Sequence, residues 1–265
     1  MALTVLNYHS VQDVADTSFP WVVTKNSFAA QMQLLKDNHI AVLDVRDLRT
    51  KSDLQKLVRS KSNTVLLTFD DCFADNVDNV LPILKTHNFD ATFFCVGKTV
   101  SEISQDSDWT TKGEYNHNTL KCMNIAQLKA LSEGGFTLGF HSYSHQSLIN
   151  ASPDTLDQEI HQTVQQLAQA GITTEMTFAA PYGVYQNRRT VRCLTELLQQ
   201  HGYYSAFLGK SGHTTSWDNL LCMPRIPVLG PHTMSDFEGI LKGQKMMYFF
   251  MKDGYKVVRF KLMGR

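Results

Sequence analysis

This chain has no excess of charge of either sign: 25 lysines and arginines stand against 25 aspartates and glutamates. A general nucleic-acid binder is therefore disfavoured, because releasing counterions along a phosphate backbone needs concentrated positive charge. No apolar run approaches the roughly 18 residues that a membrane helix needs. The opening Met1-Ala2-Leu3-Thr4-Val5-Leu6-Asn7-Tyr8-His9 lacks the cationic and long apolar regions of a secretory signal. The expectation is a cytoplasmic protein, or a periplasmic or extracellular one if a leader was removed ahead of Met1. Cysteine is scarce: Cys72, Cys95, Cys122, Cys193 and Cys222 are an odd number and contain no C-x-x-C pair. That argues against a disulfide framework or a zinc knuckle and leaves small buried hydrophobes in a reducing compartment. Internal repeats and low-complexity tracts are also missing.

What is present is an ordinary globular composition, 43% hydrophobic and 19% charged over 265 residues. The simplest division is one domain spanning 1–265, since single α/β barrels reach about 250 residues. Strand-like and helix-like runs alternate almost throughout. Leu3 to Tyr8, Ile40 to Val45, Thr64 to Phe69, Ala91 to Val96, Phe136 to Phe140, Met176 to Ala180, Ser205 to Leu208 and Cys222 to Val228 read as strands. Ser27 to Asn38, a stretch running to about His87, and Thr190 to His201 read as helices. The clearest helix opens at Ser152-Pro153, a cap followed by proline, and ends at Gly171, with Leu156, Ile160, Val164 and Leu167 as its buried stripe. Repeated β-then-α units imply parallel strands in a barrel or doubly wound sheet. Residues 98–123 lack periodicity and read as a surface insertion over a site.

In such architectures, chemistry gathers just beyond strand C-termini. Thr68-Phe69-Asp70-Asp71-Cys72 places two adjacent carboxylates after an apolar strand. There they repel one another and lose hydration, so a cation or a proton must compensate. His141-Ser142-Tyr143-Ser144-His145 follows another strand, and its spacing lets both imidazoles face one point if the segment turns helically. Two imidazoles and a carboxylate suit a divalent metal with open positions. The competing reading is two separate loop histidines. His9 ends the first strand and shares that rim, as a hydrogen-bonded rim residue or as an acid. Phe178-Ala179-Ala180-Pro181-Tyr182-Gly183 reads as a sharply turning strand end, where a backbone N–H could face the site.

Together these segments resemble the polysaccharide deacetylase family of carbohydrate esterases, the NodB-homology domain. The family's T-F-D-D-G is matched by Thr68 to Cys72, its H-S/T-x-x-H by His141 to His145, and its R-x-P-Y by Ala179 to Tyr182. Leu6-Asn7-Tyr8-His9-Ser10-Val11 and Met223-Pro224-Arg225-Ile226-Pro227-Val228 are most similar to the circularly permuted branch that includes poly-N-acetylglucosamine deacetylases. The resemblance implies a distorted (β/α) barrel of about seven parallel strands. It implies metal-assisted hydrolysis of an N-acetyl amide on an amino sugar or polysaccharide, releasing acetate. Asp71, His141 and His145 would hold one divalent ion, zinc by preference and iron, cobalt or nickel as alternatives. Asp70 would act as base and His9 as acid, with Pro181 and Tyr182 at the oxyanion side and Tyr143 and Tyr182 as preferred sugar-facing rings. Trp109, Tyr185 and Trp217 are further ring candidates.

Two departures stand out. Cys72 replaces the glycine, and Ala179 replaces the arginine that orients the catalytic carboxylate in many relatives. Arg225 is the candidate replacement, against the alternative of a packing or surface arginine. The departures also motivate a carbohydrate-binding pseudoenzyme, and an amidase acting on a non-sugar amide or imide stays open. Finally, 241–265 carries seven basic residues and one acid. It reads as a solvated closing element, with docking on an anionic membrane or a partner as the alternative.

Overall fold

The computed structural model describes residues 3–16, 19–60, 63–102, 108–110, 119–215, 218–243, 246–251 and 254–259, with backbone alone for 101–102, 108–110, 119, 246–251 and 254–259. The main sheet is built from β1 (Leu3–Tyr8), β2 (Ala41–Leu43), β3 (Thr64–Asp70), β4 (Thr92–Cys95), β5 (Thr137–Phe140), β6 (Thr177–Ala179), β7 (Ser205–Phe207) and β8 (Ile226–Pro227). Seven of these run in the order β7-β6-β5-β4-β3-β1-β8, all parallel, and curl into an open half-barrel. The eighth, β2, pairs with the first half of β3 on the edge whose second half pairs with β4. A parallel bridge between Phe207 and Met223 brings the segment before β8 back towards β7, so the curl approaches closure.

Both faces of the sheet are covered, which is why β1 and β3 are buried at every position. Side-chain alternation divides their residues between two cores. Leu3, Val5, Leu66, Phe94, Ala179, Phe207 and Met223 fill the inside of the curl. Leu6, Tyr8, Val65, Leu67, Phe69, Phe93, Leu138 and Phe178 face the surrounding helices. Thr68 and Asp70 share the parity of Leu66 and so belong to the inner face.

The crossovers include the helices α1 (Lys25–Asp37), α2 (Lys51–Arg59), α3 (Asp75–Asn79), α4 (Leu81–His87), α5 (Ile125–Glu133), α6 (Pro153–Gln169) and α7 (Arg188–Gln200), and α8 (Met234–Leu241) follows β8. The expected continuous helix reaching His87 is two pieces, α3 and α4, separated at Val80 and followed by Pro82 near the start of the second. On α6, Thr163 joins Leu156, Ile160 and Leu167 in full burial. Val164 packs only half-buried beside the core. The strand expected over 222–228 shortens to Ile226–Pro227: Cys222 closes a 3₁₀ turn begun at Leu220, and Met223 makes only an isolated bridge to Phe207. Within 98–123, the described backbone contains an antiparallel pair, Asp108–Thr110 with Thr119–Lys121. The basic C-terminal segment contributes a backbone hairpin, Met246–Met251 with Gly254–Arg259. Its side chains, the side chain of Trp109 and all of Trp217 lie outside the described residues. Among the described residues, no helix is long and apolar enough to cross a membrane.

Candidate metal centre and its surroundings

The end of β3 delivers both carboxylates. Asp70 finishes the strand on the inner face, and the chain then turns through two consecutive left-handed residues, Asp71 (φ 71°) and Cys72 (φ 50°). Aspartate tolerates that region, whereas a cysteine there carries the Cβ penalty that glycine avoids. The turn is held by Met123, whose N–H donates to the Cys72 carbonyl at 2.8 Å. The buried Cys72 thiol lies 2.8 Å from that of Cys95, with both thiols free.

The histidine pair converges by a route other than the expected helical turn. His141 to His145 is an irregular loop with left-handed backbone at Ser142 (φ 57°) and His145 (φ 56°). The His145 N–H donates to Ser142 Oγ at 3.2 Å. The loop is buttressed by Glu159 of α6, whose carboxylate accepts from the N–H groups of Tyr143 and Ser144 at 2.9 and 2.8 Å and from Ser144 Oγ at 2.6 Å. From the far side, the N–H groups of Gly97 and Lys98 donate to the carbonyls of Ser142 and Tyr143.

These supports bring Asp71 Oδ1 to 3.0 Å from His145 Nε2 and 3.5 Å from His141 Nε2. One donor atom from each of the three residues lies within 4.8 Å of the others. The donor set fits a divalent ion. His141 Nδ1 lies 2.8 Å from the Ala179 carbonyl, so its proton belongs there and Nε2 presents a lone pair to the cluster. Asp71 Oδ1 is buried and, apart from the imidazoles of His145 and His141, has no polar partner among the described residues. Burial pushes His141 down to about 4, against the pull of Asp70 and Asp71, which keeps its imidazole neutral and able to ligate at pH 7. Burial would raise the Asp71 carboxyl, but His145 and His141 outweigh it and hold the group anionic.

Asp70 stands beside this cluster, its Oδ2 3.8 Å from His141 Nε2 and 4.0 Å from His9 Nε2. Arg225 grips it with two parallel bonds of 2.7 Å, Nη1 to Oδ1 and Nη2 to Oδ2. The guanidinium carbon lies 5.7 and 5.5 Å from the ring centres of Phe94 and Phe207. Arg225 is thus a buried partner of Asp70, at only 6% exposure, and the surface alternative is excluded. Burial would raise the Asp70 carboxyl, yet Arg225, with His141 and His9 beside it, holds it well below the usual carboxylate range. Ala179 is fully buried inside the curl and contributes its carbonyl to His141 in place of a side-chain cation.

Pro181 is buried and Tyr182 is exposed at the end of the β6 turn. Tyr182 is left-handed (φ 56°) and its hydroxyl lies 3.4 Å from His145 Nδ1. The turn needs Gly183 (φ 72°), where a Cβ would come within 2.7 Å of the Gly209 backbone. The ring edge of Tyr143, by contrast, lies against Gly97, and Tyr143 is half-buried. Tyr185 is 48% exposed. Three supports carried no sequence signal: Glu159, the Asp75-Asn76 pair on α3, and Trp21, whose ring centre lies 4.4 Å from that of His9.

Fold and site together define an α/β half-barrel with a two-histidine, one-carboxylate cluster beside an arginine-clamped aspartate. The sequence profile described as "Polysaccharide deacetylase" matches residues 58–206, and the chain belongs to that family. It is 23% identical over 243 residues to the Bacillus subtilis (strain 168) protein YxkH, named for the same family, covering 92% of this chain and 77% of that one. In structure it is similar to IcaB from Ammonifex degensii (TM-score 0.70, 19% identity, 91% of this chain and 96% of that one). It is also similar to the Streptococcus pyogenes deacetylase PplD solved with acetate (TM-score 0.68, 20% identity, 91% and 98%).

Proposed function

We propose that this chain is a metal-dependent carbohydrate N-deacetylase that releases acetate from an acetylated amino sugar or polysaccharide of the poly-N-acetylglucosamine type. The observation that carries the reading is the convergence of Asp71, His141 and His145 next to a second carboxylate that is kept ionised. A divalent ion held by those three residues would supply Lewis-acid polarisation of the acetyl carbonyl and acidification of water, and zinc, iron, cobalt or nickel all suit the donors.

The chain's own groups divide the remaining work. Asp70, fixed by Arg225, takes the proton of the attacking water. The backbone N–H of Tyr182, which has no protein acceptor among the described residues, donates to the oxyanion of the tetrahedral intermediate. His9 protonates the leaving nitrogen, a poor leaving group without that proton. Tyr182, exposed beside His145, offers a flat face to the sugar. The Arg225 clamp also weakens the case for a pseudoenzyme, since the cation missing at Ala179 has a replacement on the same carboxylate.

The test is to assay metal-loaded protein in parallel for acetate release from N-acetylglucosamine oligomers, nucleotide-linked acetamido sugars and simple imides. Turnover of the oligomers is expected. Imide opening without acetate release would move the assignment to an amidase, and metal binding with no turnover of any substrate would support a binding protein.

A further inference from the structure

The short helix α3 begins four residues after Asp71, and three of its side chains reach the segment that carries His9. Asn76 Nδ2 donates to the His9 carbonyl at 3.0 Å. Asp75 accepts from Ser10 Oγ at 2.5 Å and from the Val11 N–H at 3.3 Å. Asn79 Nδ2 donates to the Val11 carbonyl at 2.8 Å. Regular pairing between β1 and β3 ends one residue earlier, at Tyr8 opposite Phe69. Beyond that point the main sheet no longer dictates where the chain goes; Ser10–Gln12 pairs in parallel with Val22–Thr24 in a separate two-stranded sheet, and His9 links the two pairings.

The imidazole of His9 has few other constraints. Its Nδ1 is buried and finds no hydrogen-bond partner among the described residues, so no carboxylate orients the ring from behind. Nε2 stands 4.0 Å from Asp70 Oδ2, beyond a hydrogen bond. What fixes the ring is its backbone and the face of Trp21, tilted 41° to it.

We propose that Asn76, aided by Asp75 and Asn79, is a positioning residue that ties His9 to the same structural unit as Asp70 and Asp71. The clamp makes the base Asp70, the ligand Asp71 and the acid parts of one body, so their spacing survives movement of either strand end. The inference rests on the deacetylase reading in giving His9 the acid's role, while the clamp geometry stands independently of it.

Asn76→Ala and the less buried Asn79→Ala, each checked for intact melting and metal content, are compared on two substrates. One is an N-acetyl amide, whose nitrogen must be protonated to leave; the other is an aryl acetate ester, whose leaving group needs no acid. The expected result is a fall in amide kcat approaching about 100-fold for Asn76→Ala, with KM and ester turnover close to wild type. Equal losses on both substrates overturn the positioning role.

A second measurement does not depend on activity. The ring protons of His9 should show an upfield ring-current shift from Trp21 in histidine-labelled protein, lost in Asn76→Ala and reduced in Asn79→Ala. An unchanged His9 shift in both folded variants overturns the clamp. A wild-type chain that releases no acetate overturns the deacetylase reading instead, and the shift still decides the clamp.

Discussion

Arg225 and Asp70 lie 155 residues apart and form a buried, two-point ion pair, with both contacts at 2.7 Å. Each side chain satisfies a charge that could not otherwise stay inside the curl, because an unpaired buried ion loses more hydration than a protein readily offsets. The planar fork of the guanidinium also fixes the direction of the carboxylate, which a single-point lysine ammonium would not do.

Removing that cation should therefore affect both stability and activity. Arg225→Ala is expected to cost about 3–5 kcal/mol, the usual penalty for breaking a buried pair, and to reduce turnover at least about 100-fold. Arg225→Lys should recover more of the stability than of the activity. Melting curves and kcat on one acetylated oligomer read this out, and near-normal turnover in Arg225→Ala would remove Arg225 from the machinery.

The three-residue cluster predicts bound metal. Metal analysis after loading and desalting should find one ion per wild-type chain, with little left in Asp71→Asn or His145→Ala. Stripping with a chelator should abolish turnover, and adding back zinc, iron, cobalt and nickel separately identifies which ion supports it. Equal metal content in wild type and Asp71→Asn would refute the ligand assignment.

Glu159 touches none of the ligand atoms but holds the loop between the histidines. Glu159→Gln should weaken metal affinity by roughly 10–100-fold, with turnover restored by excess metal. A loss of turnover that excess metal does not restore would show that Glu159 does more than brace the loop.

Asp75 gives a pH dependence of stability with a definite sign. Burial raises its carboxyl to about 6, even though hydrogen bonds from Ser10 and Val11 favour the anion, whereas the ordinary value is 3.8. Between these values the folded chain binds the proton and the unfolded chain releases it. The contribution of this group is therefore complete below about pH 4 and is lost as pH rises through about 6, on the order of 3 kcal/mol in all. His232 and His141, both pushed down to about 4 by burial, act in the opposite direction over much of the same range. The comparison that isolates Asp75 is with Asp75→Asn: relative to wild type, the variant should gain stability between pH 4 and pH 7. A constant difference across that range would contradict the raised carboxyl.

Much of the site was legible along the chain because it sits at strand ends. A strand fixes which of its residues face inward and where it stops, so Thr64 to Asp70 announces both the strand and the carboxylates that follow it. The same applies to Thr137 to Phe140 and His141. The break between α3 and α4 was less visible, since helical spacing continues across Val80 and only the missing N–H of Pro82 interrupts the ladder of backbone bonds. The helical route expected for the histidine pair failed for a related reason. Spacing specifies which side chains can meet, but the turn that makes them meet depends on Ser142 and on a carboxylate from α6.

The sequence by itself determined the alternating strands and helices, the two carboxylates, the two imidazoles and the absence of the family arginine at Ala179, because each is written in contiguous residues with short-range rules. Only the tertiary structure decided that Arg225 takes the place of that arginine, that Glu159 braces the histidine loop, and that Asn76 reaches the backbone of His9. Those contacts join segments up to 155 positions apart. Their geometry comes from how the sheet curls, and local propensity carries no record of that curl.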